Sequence, residues 1–365
     1  MEATVLRVGK SELDGVLGYA KLLRHCGGGA LVDFAAETNP TQQLYQHFAY
    51  LVSTFPSSNG LGHLRFYHHD QGWNAAMAPM VGAMVADACF TARPSDIIVA
   101  SHPKCGTTWI KALVYATVRR GEHPPATADH PVNSSSPHDC VKFLELQLYS
   151  TGKSVPDLDE LLEYPRLFAT HVPFASLPRS MARSGSKIVY VCRDPKDTFI
   201  SMWSFMNRFR DTAGLEPLPV ETAAELFCDG LSPFGPYWDH VLGYWRAHVA
   251  FPERVLFFRY EEMQRDPAAH VRRLAEFVGR PFGTGDEEDD DAVDSIVRLC
   301  SFEHLSTLEV TKGGKTELAV GAMENNAFFR RGVVGDWANH LPPEIARRID
   351  AITEAKFKGS GLRVV

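Results

Sequence analysis

Ile97-Ile98-Val99-Ala100-Ser101-His102-Pro103-Lys104-Cys105-Gly106-Thr107-Thr108-Trp109-Ile110-Lys111-Ala112 decides the fold of this 365-residue chain. The run Ile97 to Ala100 is β-branched and apolar, the composition of a buried strand. Pro103 ends it, and Lys104 to Gly106 supply a turn. Apolar residues then recur at helical spacing at Ile110, Leu113, Val114 and Ala116. Strand, tight turn and helix start together make an anion site. The first amides of a helix lack partners, and its dipole is positive at that end. Lys104, Thr107 and Thr108 add a cation and two hydroxyls to the same turn. The glycine follows the lysine, so the loop is not the G-x-x-x-x-G-K-[ST] cradle of ATP-dependent kinases. A phosphate-like group is expected here, held in another way.

Three further segments belong with it. Lys187-Ile188-Val189-Tyr190-Val191-Cys192 reads as a buried strand, and Arg193-Asp194-Pro195-Lys196-Asp197 as a charged turn that opens a helix. Phe199, Met202, Trp203 and Met206 follow on one helical face. Near the C-terminus, Phe328-Phe329-Arg330-Arg331-Gly332-Val333-Val334-Gly335-Asp336-Trp337 sets two adjacent cations before a glycine. That suits a dianionic phosphate, whose oxygens match guanidinium forks and whose approach a glycine permits. The last segment, Ala169-Thr170-His171-Val172-Pro173, carries a single histidine. Taken alone, it reads as a hydrogen-bonded core residue.

In this order the four segments resemble the soluble sulfotransferases, which transfer a sulfuryl group from 3′-phosphoadenosine-5′-phosphosulfate. The resemblance implies that Lys104, Cys105, Gly106, Thr107 and Thr108 form the 5′-phosphosulfate loop, with Cys105 where serine is usual. It implies that Trp109 stacks on adenine and that Arg193 and Ser201 hold the 3′-phosphate. Arg330, Arg331 and Gly332 share that grip, Arg331 standing for the usual lysine. Tyr260 and Phe302 are implied nucleotide contacts. Cys300 and Ser301 fall in the same segment, with Cys300 where many relatives have threonine. His171 matches the family's catalytic histidine, and the donor is implied without a metal. Pro137 to Glu145, Phe234 to Trp245 and Leu299 to Leu305 look like flavonol-sulfotransferase-type sequence of plants. Ala169 stands where animal relatives usually have lysine, a replacement common in plants. The dimer segment of animal relatives, K-x-x-x-T-V-x-x-x-E, is missing from Ala338 to Glu344, which implies a monomer or weak dimer.

Beside the resemblance, strands and helices alternate at 97–100 with 107–119, 187–192 with 195–208, and 254–259 with 261–278. The expected class is α/β, a parallel sheet flanked by helices, with ligands at the carboxyl ends of the strands. The resemblance refines this to a P-loop-nucleotide-kinase-like sulfotransferase fold. Residues 1–60 read as a partly flexible N-terminal extension, with a possible helix from Leu13 to Leu23 and a glycine cluster at 27–29. Residues 61–365 read as the catalytic domain. The run from Asp286 to Asp291 reads as a solvated loop between helices.

Composition sets outer limits. An apolar content of 45% in 365 residues can bury a large core. The net charge of −7 argues against nucleic acid or an anionic membrane as partner, so the positive charge a nucleotide needs must be local. Seven scattered cysteines without C-x-x-C fit neither a disulfide framework nor a zinc site. The N-terminal residues include Glu2, Arg7, Lys10, Glu12 and Asp14 and form no signal peptide. A cytoplasmic enzyme is expected.

Sulfuryl transfer is a loose in-line displacement in which positioning and charge stabilisation carry most of the catalysis. The acceptor hydroxyl must lose a proton, a task for His171, with His138 beside Asp139 as its competitor. Charge develops on the leaving phosphate, opposite Lys104, Thr107 and Thr108. Arg193 has a local alternative partner in Asp197. Two rival functions remain open: a kinase using ATP, and a non-catalytic small-molecule binder on the same fold. The acceptor is expected to be small, hydroxylated and mostly apolar, a flavonoid, steroid or hydroxylated hormone. Its pocket is expected around Phe66-Tyr67, Met77 to Met84 and Phe143 to Leu148.

Overall fold

A computed structural model describes residues 40–61, 64–69, 72–152, 154–283 and 287–363. The helix expected at Leu13–Leu23 and the glycine cluster at 27–29 lie outside these residues. Five strands form the central sheet: β1 (Ile97–Ser101), β2 (Lys142–Phe143), β3 (Leu167–Thr170), β4 (Lys187–Cys192) and β5 (Val255–Arg259). All are parallel, in the order β2-β3-β1-β4-β5. Every residue of β1 is buried. Ile98 and Ala100 enter the apolar cluster on one face, and Ile97 and Val99 the cluster on the other. Burial on both faces is why this strand reads as a continuous apolar run rather than an alternation.

Register is fixed from below. Asp96 accepts from Arg166 Nε at 2.9 Å and Nη2 at 2.7 Å, a fork that ties the start of β3 to the start of β1. Ile97 accordingly stands opposite Leu167 on one side and Lys187 on the other. The chain fills one side of β1 with β2 and β3, then crosses to the other for β4 and β5. β1 is therefore the switch point, and the crevice at its carboxyl end is where such a sheet binds ligands.

Six helices matter for the site: α1 (Pro40–Ser53), α2 (Met77–Cys89), α3 (Thr107–Val118), α4 (Pro195–Thr212), α5 (Tyr237–Ala250) and α6 (Phe302–Thr307). α3 follows β1 and α4 follows β4, each beginning just beyond its strand. α1, within the segment read as an extension, buries Tyr45, Phe48 and Val52 in the same apolar cluster as Met80, Val81 and Val85 of α2. No helix among the described residues is long and apolar enough to cross a membrane.

Two expectations change. The helix read over 261–278 is two helices, Tyr260–Arg265 and Pro267–Phe277. Pro267 has no amide and drives Asp266 out of the helical region, to φ −145° and ψ 76°. The Asp266 carboxylate then caps the second helix by accepting from the Ala269 amide at 3.0 Å. From Glu287 on, the acidic run is not a loop between helices but the start of one, Glu287–Leu299; Asp286 lies outside the described residues. Acidic residues suit a helix N-terminus, and Asp290 pairs with Arg272.

Candidate active site

The turn after β1 is built from strained backbone. Lys104 has φ +70° and Gly106 φ +99°. The lysine conformation is costly for a residue with a Cβ and is found where function holds it. Gly106 has a second reason to be glycine. A Cβ there would stand 2.7 Å from Cδ2 of the Tyr260 ring. Gly106→Ala is therefore expected to destabilise by about 1–3 kcal/mol. Gly121→Ala, where a Cβ meets nothing within 4 Å, is not; thermal melts of the two variants compare them.

α3 starts at Thr107, so the first amides of its N-terminus have no helical acceptor. Thr107 Oγ1 lies 2.7 Å from Ser101 Oγ, whereas Thr108 Oγ1 lies 3.0 Å from His138 Nε2. Lys104 Nζ sits 4.0 Å from the centroid of the Phe205 ring. Its pKa is pushed down to about 7 by burial and by the charges of Arg193, Arg208 and Arg330. Cys105 points elsewhere. Its side chain is fully buried, with Sγ 3.5 Å from Thr198 Oγ1, and burial pushes the thiol up to about 12. A loop contact from Cys105 can come only from its backbone.

His171 follows β3 directly, which brings it beside the end of β1. Its Nδ1 is 2.7 Å from the carbonyl oxygen of Ser101. A carbonyl only accepts, so Nδ1 carries the proton and Nε2 keeps its lone pair. The surroundings hold this segment firmly. The His171 amide donates to Glu145 Oε1 at 2.7 Å, His240 Nε2 donates to the His171 carbonyl at 2.9 Å, and Tyr244 OH donates to the Val172 carbonyl at 2.7 Å. Burial, opposed by the bond to Ser101 and aided by the charge of Lys111, pushes His171 down to about 3. The ring is neutral at physiological pH. Its competitor His138 has both ring nitrogens occupied, Nε2 by Thr108 and Nδ1 by Lys111 Nζ at 3.1 Å.

The far end of the cavity is basic and aromatic. Arg193 donates to the Val333 carbonyl at 2.8 Å and also makes its local pair, Nη2 lying 3.6 Å from Asp197 Oδ2. Asp197 accepts from the amides of Gly335 at 2.6 Å and Trp337 at 3.0 Å, which fastens the C-terminal segment over the start of α4. Arg330 and Arg331 both pair with Asp336, the latter at 2.9 Å. Burial opposes ionisation of Asp336. Hydrogen bonds from Asn339 and Arg330, with the charges of both arginines, nevertheless hold it down to about 2. Trp109 meets Tyr260 edge-on at 5.4 Å between centroids. Ser301 caps α6 by accepting from the His304 amide at 3.1 Å. A Cβ on Gly332 would stand 2.4 Å from Cδ2 of Phe302.

One cavity of about 390 Å³ joins these parts. It is lined by Lys104, Gly106, Thr107, Thr108, Trp109 and His171, and by Arg193, Ser201, Tyr260, Cys300, Ser301 and Phe302. Arg330, Arg331 and Gly332 complete the set, and Cys105 is the sequence-selected residue that does not line it. The apolar wall differs from the sequence expectation. Phe143, Leu146 and, from the stretch Met77 to Met84, Pro79 line it, but Phe66 and Met80 are buried in the core, and Met77 and Met84 pack against that core. Phe205, Met206 and Phe209 of α4, with Phe234 and Phe328, supply the wall instead. Phe205 and Phe209 carried a weak signal, as successive aromatics one turn apart on α4. Lys111 and Glu145 were missed, because buried charges within apolar runs read as exposed positions.

Residues 94–361 match the family model described as the sulfotransferase domain. Cytosolic sulfotransferase 16 of Arabidopsis thaliana is 43% identical over 338 residues, covering 92% of this chain and 96% of the relative. Cytosolic sulfotransferase 5 of the same plant is 45% identical over 274 residues, 75% of this chain and 83% of the relative. Among solved structures, a chain assigned as a steroid sulphotransferase of Arabidopsis thaliana superposes with a TM-score of 0.68 at 35% identity, covering 88% of this chain and 96% of that one. Mouse sulfotransferase SULT7A1, complexed with PAP, gives a TM-score of 0.61 at 26% identity over 81% of this chain and 95% of that one.

Proposed function

The chain belongs to the plant cytosolic sulfotransferase family, and from that premise we propose that it moves a sulfuryl group from 3′-phosphoadenosine-5′-phosphosulfate to a small neutral acceptor hydroxyl. The observation that carries this reading is one cavity shared by the Lys104 turn, a histidine with a free Nε2 lone pair, and a distant group of arginines. Its relatives are named cytosolic, and we assign this chain to the cytoplasm with them, as a monomer or weak dimer.

In the proposed reaction the acceptor oxygen attacks sulfur as the bond from sulfur to the 5′-phosphate oxygen breaks. His171 Nε2 takes the hydroxyl proton, and Nδ1, held on the Ser101 carbonyl, keeps the ring in the tautomer that can accept it. Lys104, Thr108 and the free amides at the start of α3 face the phosphate that gains charge. Arg193, Ser201, Arg330 and Arg331 take the 3′-phosphate, and Trp109, Tyr260 and Phe302 take the base, with Cys300 and Ser301 beside it. The acceptor lies against Phe143, Phe205, Phe209, Phe234 and Phe328. Rings of this kind favour a flat, uncharged, hydroxylated molecule of flavonoid, steroid or hormone type. The same fold at 19% identity occurs in retinol dehydratase, solved with androsterone and PAP.

The 3′-phosphate assignment is tested by a pair of ligands that differ in that group. Replacing Arg330 and Arg331 together by Ala should weaken 3′-phosphoadenosine-5′-phosphate (PAP) at least about a hundredfold, since each charge-assisted bond contributes roughly 1.5–3 kcal/mol. Adenosine-5′-phosphosulfate, which lacks the 3′-phosphate, should be weakened much less. Calorimetric titration of both ligands measures the difference. Equal losses would refute the assignment.

A further inference from the structure

α3 carries a buried lysine that the proposed reaction does not use. Lys111 is fully buried and forms no ion pair among the described residues. Its Nζ lies 3.1 Å from His138 Nδ1 and 3.2 Å from the centroid of the Phe143 ring. Burial pushes Lys111 down, opposed by the carboxylates of Glu145 and Asp139 and by the ring face, which favours the charged amine. An ammonium can only donate, and the direction this gives runs from Lys111 to His138 Nδ1. His138 must then carry its own proton on Nε2, 3.0 Å from Thr108 Oγ1, and donate it there. With its oxygen accepting from the ring, Thr108 keeps its own proton free for the cavity it lines.

The neighbouring hydroxyl is held differently. Thr107 Oγ1 has Ser101 Oγ at 2.7 Å, and either oxygen can be the donor of that pair. Direction is imposed on Thr108 alone. Without His138, a threonine in the first turn of a helix can turn its proton back to the carbonyl of the preceding turn. Leaving phosphate oxygens only accept, so a hydroxyl spent in that way is lost to them.

We propose that Lys111 and His138 are positioning residues, a buried one-way hydrogen-bond chain that aims the Thr108 proton at the leaving phosphate of the donor. The proposal rests on the donor reading above and adds to it what sets the direction of one contact. It also assigns His138 a task other than that of a base.

The test uses the full chain, PAP affinity by calorimetry, and ¹⁵N NMR of the His138 ring without ligand. Thr108→Val should weaken PAP roughly ten- to hundredfold, the worth of one hydrogen bond to a charged oxygen. His138→Ala should cost roughly tenfold in the parent and nothing further beside Thr108→Val. His138→Gln can donate from the position of Nε2, so it should recover most of the affinity. It also covers the case in which the Ala variant, with its stranded lysine, does not fold. The ring of the parent should be protonated on Nε2. A ring protonated on Nδ1, a His138→Gln that binds PAP no better than an alanine-like loss predicts, or equal effects of His138 in both backgrounds would overturn the chain. A Thr108→Val variant that binds PAP like the parent would overturn the donor reading at this loop as well. That result is distinct from a loss at Thr108 that His138 does not share.

Discussion

His171→Asn should fold, bind PAP about as well as the parent, and lose turnover on alcohol acceptors by about a hundred- to ten-thousandfold. The fold is expected to survive because the asparagine amide can still donate to the Ser101 carbonyl, the bond that Nδ1 makes at 2.7 Å. The amides and carbonyls of the segment also remain held by Glu145, His240 and Tyr244. What disappears is the lone pair on Nε2. Phenols that ionise at lower pH need less help and should be partly spared. A pH consequence accompanies this. The ring in the ligand-free site is pushed down to about 3, below the usual histidine range, so it stays unprotonated as pH falls through the physiological range. kcat/KM should therefore show no acid limb near the ordinary histidine pKa that belongs to His171. Near-parental turnover of His171→Asn on an alcohol would remove it from the mechanism.

Lys104→Ala should lower turnover by about a hundred- to a thousandfold, with a smaller change in donor affinity. The charge on the leaving phosphate is larger in the transition state than in the bound donor, so the lost cation is felt most there. The lysine also links binding to pH. Burial and the neighbouring arginines hold it to about 7 in the ligand-free site. An anionic donor beside it favours the ammonium and raises that value. Between the two values, binding takes up a proton, so PAP affinity should fall as pH rises above about 7. Lys104→Met should flatten that dependence, which titrations in buffers of different ionisation enthalpy can follow. A collapse of donor affinity with unchanged turnover would mean that Lys104 serves binding only.

The turn after β1 was legible in the chain because its signals are local. Pro103 stops a strand, Gly106 permits a positive φ, and Thr107 starts a helix directly after it. β1 and β4 were legible for the same reason, as uninterrupted apolar runs buried on both faces. β2 was not, since two residues leave no pattern, and its pairing is set by neighbours distant in sequence. Much of the apolar wall escaped because the choice between core and cavity is made in three dimensions: Met80 packs in the core alone, while Met206 on α4 belongs to the same core and also lines the cavity. Asp336 illustrates a further limit. Both arginines before Gly332 were read as phosphate ligands, but the carboxylate that holds them together, Asp336, lies beyond that glycine in the same segment, and nothing local marks it as their partner. The chain from Lys111 through His138 to Thr108 joins residues up to 30 positions apart, and only the fold makes it one feature.

The most direct test of the central claim is a mass-spectrometric assay of the parent protein with 3′-phosphoadenosine-5′-phosphosulfate and a panel of hydroxylated flavonoids, steroids, hormones and simple phenols. A sulfate ester of at least one flat, uncharged acceptor should form, in equal amount to the PAP released, and its formation on an alcohol should be abolished in His171→Asn. PAP release without any sulfated acceptor across the panel, or transfer confined to charged acceptors, would contradict the claim.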